Sequence, residues 1–410
     1  MTWVDVVFFI YIFISLYMLS LFIFIYLPNK KRLFYYPKGK AEPVSLIIPC
    51  YNESESIGKT IESLLKLNYP SKMLEIIVVD DKSKDNSADV VRKYVLKHKN
   101  VRLIVNKRNS GGAAEPINIG IRSAKHSYIA VTDADSMPDP DALIKMIGFL
   151  QEDKKVGGVT CAVLAYEPKS FIQKLQSIEY LVIAFNRKLL DMVDAVYVTP
   201  GPFALYRKDI LIEIGLFDTK NMTQDIEIVW KMLAHGYKAR MCLATSVRSI
   251  TPNKFKYWWK QRVRWNIGGT QCIAKYKSLI FKKKMLGAFV IPFFTASLFI
   301  GLFGLFLFIY LITRRIIVSY LSTKYSLYVN TAIVRLEELS FAPSILNYFG
   351  IILFILGFSF VFFILSFLKT YKLKNNNVFN LTFYMIVYLS VYSTITVAAL
   401  YKMIRGKYTW

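Results

Sequence analysis

Cysteine and histidine are both scarce in this 410-residue chain. Its four cysteines, Cys50, Cys161, Cys242 and Cys272, show no CxxC spacing, and His98, His126 and His235 do not cluster with them. That pattern argues against a disulfide framework and a Cys/His zinc site, and it places the large polar part of the chain in a reducing compartment. Acidic residues are also few, with 28 Asp and Glu against 53 Lys and Arg, a formal net charge of +25. Such a charge fits nucleic acid or an anionic lipid surface. The cations bunch beside apolar runs, which favours the cytoplasmic face of a membrane and leaves nucleic acid a distant second. The N-terminal stretch lacks the basic lead, short apolar core and small-residue cleavage site of a signal peptide. No internal repeat or low-complexity tract is present.

What the chain does contain is a mixture. At 54% hydrophobic residues and a mean hydropathy of +0.35 it is too apolar for an ordinary soluble enzyme, and at 20% charged it is too polar for a pure membrane bundle. Residues 6–27 carry no charge over a bilayer's width of helix and are followed by Pro28, Asn29, Lys30, Lys31 and Arg32, the pattern of an uncleaved anchor with its N-terminus outside. Residues 285–312, 344–368 and 378–401 are expected to span as well. Lys282, Lys283 and Lys284 put the start of the first of these inside, as Lys369, Lys372 and Lys374 do for the loop before the last. Counting spans then leaves the C-terminus outside, where Lys402, Arg405 and Lys407 are unfavourable. Either 316–334 is a weak extra span or one segment is re-entrant. The expected division is a membrane anchor over 1–28, a cytoplasmic domain over 29–252, amphipathic interface helices over 253–284 and a membrane region over 285–410.

The polar part reads as a wound α/β domain, with short β-branched runs at 44–48, 75–79, 101–105 and 128–131 separated by helical patterns. A helix over 53–67 has Asn52 or Ser54 as its expected cap. Ligands in open α/β sheets bind beyond the carboxyl ends of strands, so the loops Pro49-Cys50-Tyr51-Asn52-Glu53 and Asp80-Asp81-Lys82-Ser83 are expected to share one crevice. Singly, each is ordinary turn chemistry. Asn109-Ser110-Gly111-Gly112 precedes a helix through Ile121 and permits close approach of a phosphate, or is simply a turn. Residues 171–190 form an amphipathic helix with Gln176, Glu179, Tyr180, Asn186 and Arg187, expected to pack along the membrane face. Residues 196–206 read as a strand broken by Pro200-Gly201-Pro202, either a pocket floor or a plain bend.

Three features carry chemistry. Asp133 and Asp135 are alternate residues at the end of the fourth strand and present two carboxylates on one side. Helix capping is the plain alternative, but paired carboxylates repel unless something positive joins them, which favours a hard cation such as Mg²⁺ or Mn²⁺ bridging a nucleotide diphosphate. Asp225 opens a helix after Thr223-Gln224, the position of a cap and also a good one for a general base. Lys260-Gln261-Arg262-Val263-Arg264-Trp265 stands just before the second apolar region. Two cations and an indole there suit a diphosphate and a flat sugar face, although Tyr257, Trp258 and Trp259 alongside suit a basic membrane-surface helix equally well.

Taken in order, the loops after strands, the Asp-x-Asp, the Thr-x-Asp and the Gln-x-x-Arg-Trp resemble the membrane-embedded, inverting glycosyltransferases of family 2, a group that includes cellulose, hyaluronan and poly-N-acetylglucosamine synthases. The resemblance runs from about Val44 to about Ile280. It implies a GT-A-type wound mixed sheet with added transmembrane helices. It also implies that Pro49, Tyr51, Asn52, Glu53, Asp81 and Asp133 bind the nucleotide, that Asp133 and Asp135 hold the Mg²⁺ or Mn²⁺, and that Asp225 is the base. Gln261, Arg264 and Trp265 would contact the diphosphate and the acceptor sugar. Gln176-Ser177-Ile178-Glu179-Tyr180 and the terminal Lys407-Tyr408-Thr409-Trp410 look most like the poly-N-acetylglucosamine branch. The implied donor is a UDP-sugar and the implied acceptor a growing polysaccharide exported through a cell membrane, with a homo-oligomer or accessory subunit as further partner. One sugar added to a polyprenyl phosphate is the nearest rival, and a non-reacting nucleotide-sugar sensor or transporter is a rival of another class. This chain departs from the pattern at Gln224 (commonly Glu), Gly112 (commonly Lys) and Lys82 (commonly Gly).

Overall fold

The computed structural model describes residues 3–329, 345–368 and 375–406. Its centre is an eight-stranded mixed sheet in the order β3-β2-β1-β4-β7-β6-β8-β5. The strands are β1 (Val44–Cys50), β2 (Leu74–Asp80), β3 (Val101–Val105), β4 (Tyr128–Val131), β5 (Ser136–Pro138), β6 (Val156–Ala165), β7 (Ala204–Arg207) and β8 (Lys238–Ser249). β1 pairs in parallel with both β2 and β4, in a register that sets Cys50 against Asp80 and Ile47 against Val131. All three strands therefore deliver their following loops to one edge of the sheet, as the sequence predicts.

β1 and β2 are buried on both faces because helices cover both. Ile47, Ile77 and Val79 face one layer, which includes α4 (Ala114–Ser123), α6 (Phe171–Asp191), α7 (Lys208–Glu213) and α8 (Gln224–Ala234). Leu46, Ile48, Ile76 and Val78 face the other, with α2 (Ile57–Leu65), α3 (Ser87–Lys97) and α5 (Ala142–Glu152). Alternation along each strand thus divides one apolar run between two cores. The expected cap of α2 is not used: its N-cap is Ser56, without a side-chain bond, and Asn52 instead adopts φ 56° in the loop. The strand expected over 196–206 survives only as the four residues of β7, antiparallel to β4 and β6. Pro200 and Pro202 lack the N–H a ladder needs, and the stretch before β7 is spent on the cavity described below.

After β8 the chain enters α9 (Phe255–Tyr276), which carries the Gln261–Trp265 sextet. Among the described residues, three helical segments are long and apolar enough to cross a membrane: Trp3–Arg32, containing α1 (Trp3–Asn29); Leu286–Val329, containing α10 (Ile291–Val329); and Tyr348–Phe367, within α11 (Ile345–Phe367). α10 runs unbroken for 39 residues, so residues 316–329 continue the preceding span instead of forming a separate one. The last apolar stretch is bent by 41° between Val378–Tyr388 and Val391–Ile404, a π turn over Tyr384–Tyr388 preceding the bend. The helices on its two sides are α12 (Asn375–Phe383) and α13 (Val391–Ile404). Residues 330–334, Lys369, Lys372, Lys374 and the terminal Lys407 to Trp410 lie outside the described residues.

Candidate functional site

The loops at the carboxyl edge of the sheet open onto one cavity of about 1000 Å³. Pro49, Tyr51, Glu53 and Asp81 line it at the β1–β2 end, and Asp133, Asp135, Asp225, Gln261, Arg264 and Trp265 line it further in. Of the expected site residues, Asn52 alone does not face it. Asn52 serves as a brace: its amide oxygen accepts from the Lys84 N–H at 2.7 Å and its own N–H donates to Ser83 Oγ at 3.0 Å, tying the two loops together. Asp81 also braces as it lines. Its carboxylate accepts from Asn106 Nδ2 at 2.6 Å and from Ser110 N and Oγ at 2.9 and 2.7 Å, which anchors the Asn109–Gly112 loop.

The inner wall is a set of charges brought close in a low-dielectric place. Burial first, and then the carboxylates of Asp135 and Asp225, push the Asp133 carboxyl up to about 8. Asp135 and Asp225 are raised too, chiefly by burial. Arg264 offsets the rise at both Asp133 and Asp225, and burial draws its own value down. Asp135 accepts from Ser136 Oγ at 2.9 Å and Ser249 Oγ at 3.4 Å, which fixes its direction. Asp225 is held at the start of α8 by the Ile226 N–H at 3.1 Å.

Two glycines allow this approach. A Cβ at Gly201 would stand 2.7 Å from an Asp133 carboxylate oxygen, so the Pro200-Gly201-Pro202 bend is a floor under the carboxylate. A Cβ at Gly268 would stand 2.1 Å from Thr223 Oγ1, so α9 seats against the start of α8 only because that position is bare. α6 differs from expectation. It packs on the membrane half, but Glu179, Tyr180, Ile183, Ala184 and Arg187 also line the cavity. Arg187 is buried there, its Nε without a hydrogen-bond partner, and burial lowers its pKa against the opposing pull of Tyr197 and Asp225. The signal in the sequence was the stripe Tyr180, Ala184, Arg187 at helical spacing, which reads equally well as a surface face.

Two carboxylates at one wall, Asp133 and Asp135, are a hard-oxygen pair whose mutual repulsion a dication relieves, and the residues fit Mg²⁺ or Mn²⁺ on that ground. Among the described residues no group of three or more His, Cys, Asp and Glu side chains is placed to hold an ion. An ion here would take its remaining oxygens from a bound nucleotide, the usual situation for Mg²⁺.

The family described as Glycosyltransferase like family 2 matches residues 41–268. Poly-beta-1,6-N-acetyl-D-glucosamine synthase of Staphylococcus aureus (strain COL) is 32% identical over 253 residues, 62% of this chain and 60% of that protein. The enzyme of the same name from Staphylococcus epidermidis is 33% identical over 257 residues, 62% of this chain and 61% of that one. The matches thus span about 60% of the length of these curated relatives. Among solved structures, the mannosyltransferase PcManGT of Pyrobaculum calidifontis, in complex with GDP-Man and Mn²⁺, aligns over 95% of this chain and 96% of its own with a TM-score of 0.56. At 18% identity that is a likeness of fold.

Proposed function

Because this chain belongs to glycosyltransferase-like family 2, we propose that it transfers a sugar, with inversion, from a UDP-sugar to a growing polysaccharide at a membrane. N-acetylglucosamine is the first donor sugar to test, on the strength of the staphylococcal relatives. In this reading 29–252 is a cytoplasmic transferase domain, 253–284 forms amphipathic interface helices, 1–28 is a transmembrane anchor and 285–410 a transmembrane region of a multi-pass cell-membrane protein. The observation that carries it is the single cavity whose walls include Asp81, Asp133, Asp225, Arg264 and Trp265 and which continues between membrane helices past Ser297, Gly301, Ser393 and Thr396.

Pro49, Tyr51, Glu53 and Asp81 hold the nucleoside. Asp133 and Asp135 would hold a divalent cation, which when bound neutralises charge building on the diphosphate. Asp225 takes the proton of an acceptor hydroxyl as that oxygen bonds to the anomeric carbon. The bond from that carbon to the diphosphate breaks, its electron pair leaving with the nucleotide, and Arg264 stabilises the departing charge. In-line attack inverts the anomeric configuration. Gln261 lies beside the diphosphate, and Trp265 gives the acceptor's terminal sugar a flat face to rest on. The test is proteoliposomes supplied with radiolabelled UDP-N-acetylglucosamine, with released UDP measured and the product sized. UDP release with a ladder or high-mass material supports polymer synthesis. A single sugar extractable with lipid transfers the reading to a polyprenyl phosphate acceptor, and bound nucleotide without release makes the protein a sensor or transporter.

A further inference from the structure

Behind the Gln261–Trp265 wall lies a buried charge that the reaction above does not use. Arg262 is fully buried, and its guanidinium is paired with Glu179 of α6, itself 3% exposed. Arg262 Nε donates to Tyr392 Oη at 2.8 Å, and Trp258 Nε1 donates to Tyr388 Oη at 2.6 Å. Each of these tyrosine hydroxyls in turn donates to Glu179: Tyr388 to Oε2 at 2.7 Å, and Tyr392 to Oε1. Each hydroxyl thus accepts from α9 and donates to α6, and both carboxylate oxygens are engaged.

Two features give this network a direction. The first is what Arg262 holds on its outer side. Its Nη1 donates to Gln261 Oε1 at 2.7 Å, which turns the Gln261 amide nitrogen, a donor, away from the network on a residue that lines the cavity. Its guanidinium also lies over one face of the Trp265 indole, 4.0 Å from the ring centroid. Gln261 and Trp265 cannot shift independently of Arg262. The second is where the tyrosines come from. Tyr388 ends the π turn before the 41° bend in the last apolar stretch, and Tyr392 follows the bend. One carboxylate therefore grips both sides of the bend, one oxygen to each. Beyond Tyr392 the same helix lines the cavity with Ser393 and Thr396, and Thr396 Oγ1 donates to Asn266 Oδ1 of α9 at 3.0 Å.

A buried ion pair is a poor way to gain stability, since apolar side chains of similar volume do as well or better, but it enforces one geometry. We propose that Glu179 and Arg262, with Tyr388 and Tyr392, are positioning residues that set Gln261 and Trp265 according to the bend of the last membrane helix. A change in that bend as the cavity fills is passed to the acceptor platform. The inference rests on the proposed transferase reading for its kinetic consequence, though its structural consequence is independent of it.

Tyr388 does not line the cavity, so it is the residue to change. Tyr388→Phe deprives Glu179 of one donor but orphans Trp258 Nε1, whereas Trp258→Phe/Tyr388→Phe deprives Glu179 without leaving that orphan. Both are placed in proteoliposomes with UDP-N-acetylglucosamine and N-acetylglucosamine oligomers as acceptor. The expected result is a rise in acceptor KM of roughly 10-fold in both variants, the scale of one charge-assisted hydrogen bond, with UDP affinity unchanged. Acrylamide quenching of Trp265, taken as the difference from matched Trp265→Phe proteins, should also increase. Unchanged quenching in the double variant overturns the proposal, as does a parallel loss of UDP affinity, acceptor affinity and Tm that marks a structural role alone. If the wild-type protein releases no UDP, the transferase reading fails, and the quenching comparison still decides the positioning role.

Discussion

At the scale of single residues, Asp225 is the sharpest test, because its assigned work is on the acceptor and not on the nucleotide. Asp225→Asn should lower turnover roughly 10²- to 10⁴-fold while leaving UDP binding nearly intact, as read by steady-state UDP release beside equilibrium binding. Normal turnover in that variant would end its assignment as the base. Asp133 and Asp135 should behave differently: alanine at either position weakens nucleotide binding only when Mg²⁺ or Mn²⁺ is present, and excess chelator stops turnover in the unaltered protein. Full activity in chelator would make the pair structural. Lys82 is a third case. It sits at φ 61°, in the left-handed region that favours glycine, and its Nζ donates to the Lys107 carbonyl at 3.1 Å. Lys82→Gly should relieve up to about 1 kcal/mol of backbone strain and raise Tm. A lower Tm would show that the bond to Lys107 outweighs the strain.

At the scale of elements, the junction of α8 and α9 decides whether Asp225 and Trp265 share a wall. Gly268 on α9 meets Thr223, two residues before Asp225, without room for a methyl group. Gly268→Ala should overpack this contact at a cost of about 1–3 kcal/mol and reduce turnover by moving Asp225 relative to Trp265. Thermal unfolding and UDP release check the two halves of that statement. A stability loss with full turnover would show that the junction is not what registers the two groups. α6 makes the complementary point: its amphipathic pattern was legible, but the pattern does not say which polar residues meet water and which meet a cavity. Glu179 turns inward to meet Arg262 of α9 and Tyr388 and Tyr392 of the last apolar stretch, and Arg187 to face Tyr197 and Asp225, arrangements set by elements distant in sequence.

For the whole molecule, the question is whether the cavity is the route by which product leaves. Ser393 faces Gly301 across the membrane end of the cavity, where a Cβ on Gly301 would lie 3.8 Å from Ser393 Oγ. Ser393→Trp should obstruct that end, leave UDP affinity unchanged and shorten the product when reaction mixtures are sized, whereas undiminished length would mean that the product departs elsewhere. The sequence alone determined the wound α/β class, the apolar helices, and the order of Asp81, Asp133, Asp135, Asp225 and the Gln261–Trp265 sextet. These follow from local causes, namely periodicity, charge and the placing of loops after parallel strands. Tertiary structure decided that Asn52 braces a loop, that the stretch before β7 is pocket floor instead of strand, and that Arg262 points away from the cavity into a buried pair with Glu179. Those depend on which helix lies across which, and a charge that costs several kcal/mol to bury is found inside only where three distant segments converge to partner it.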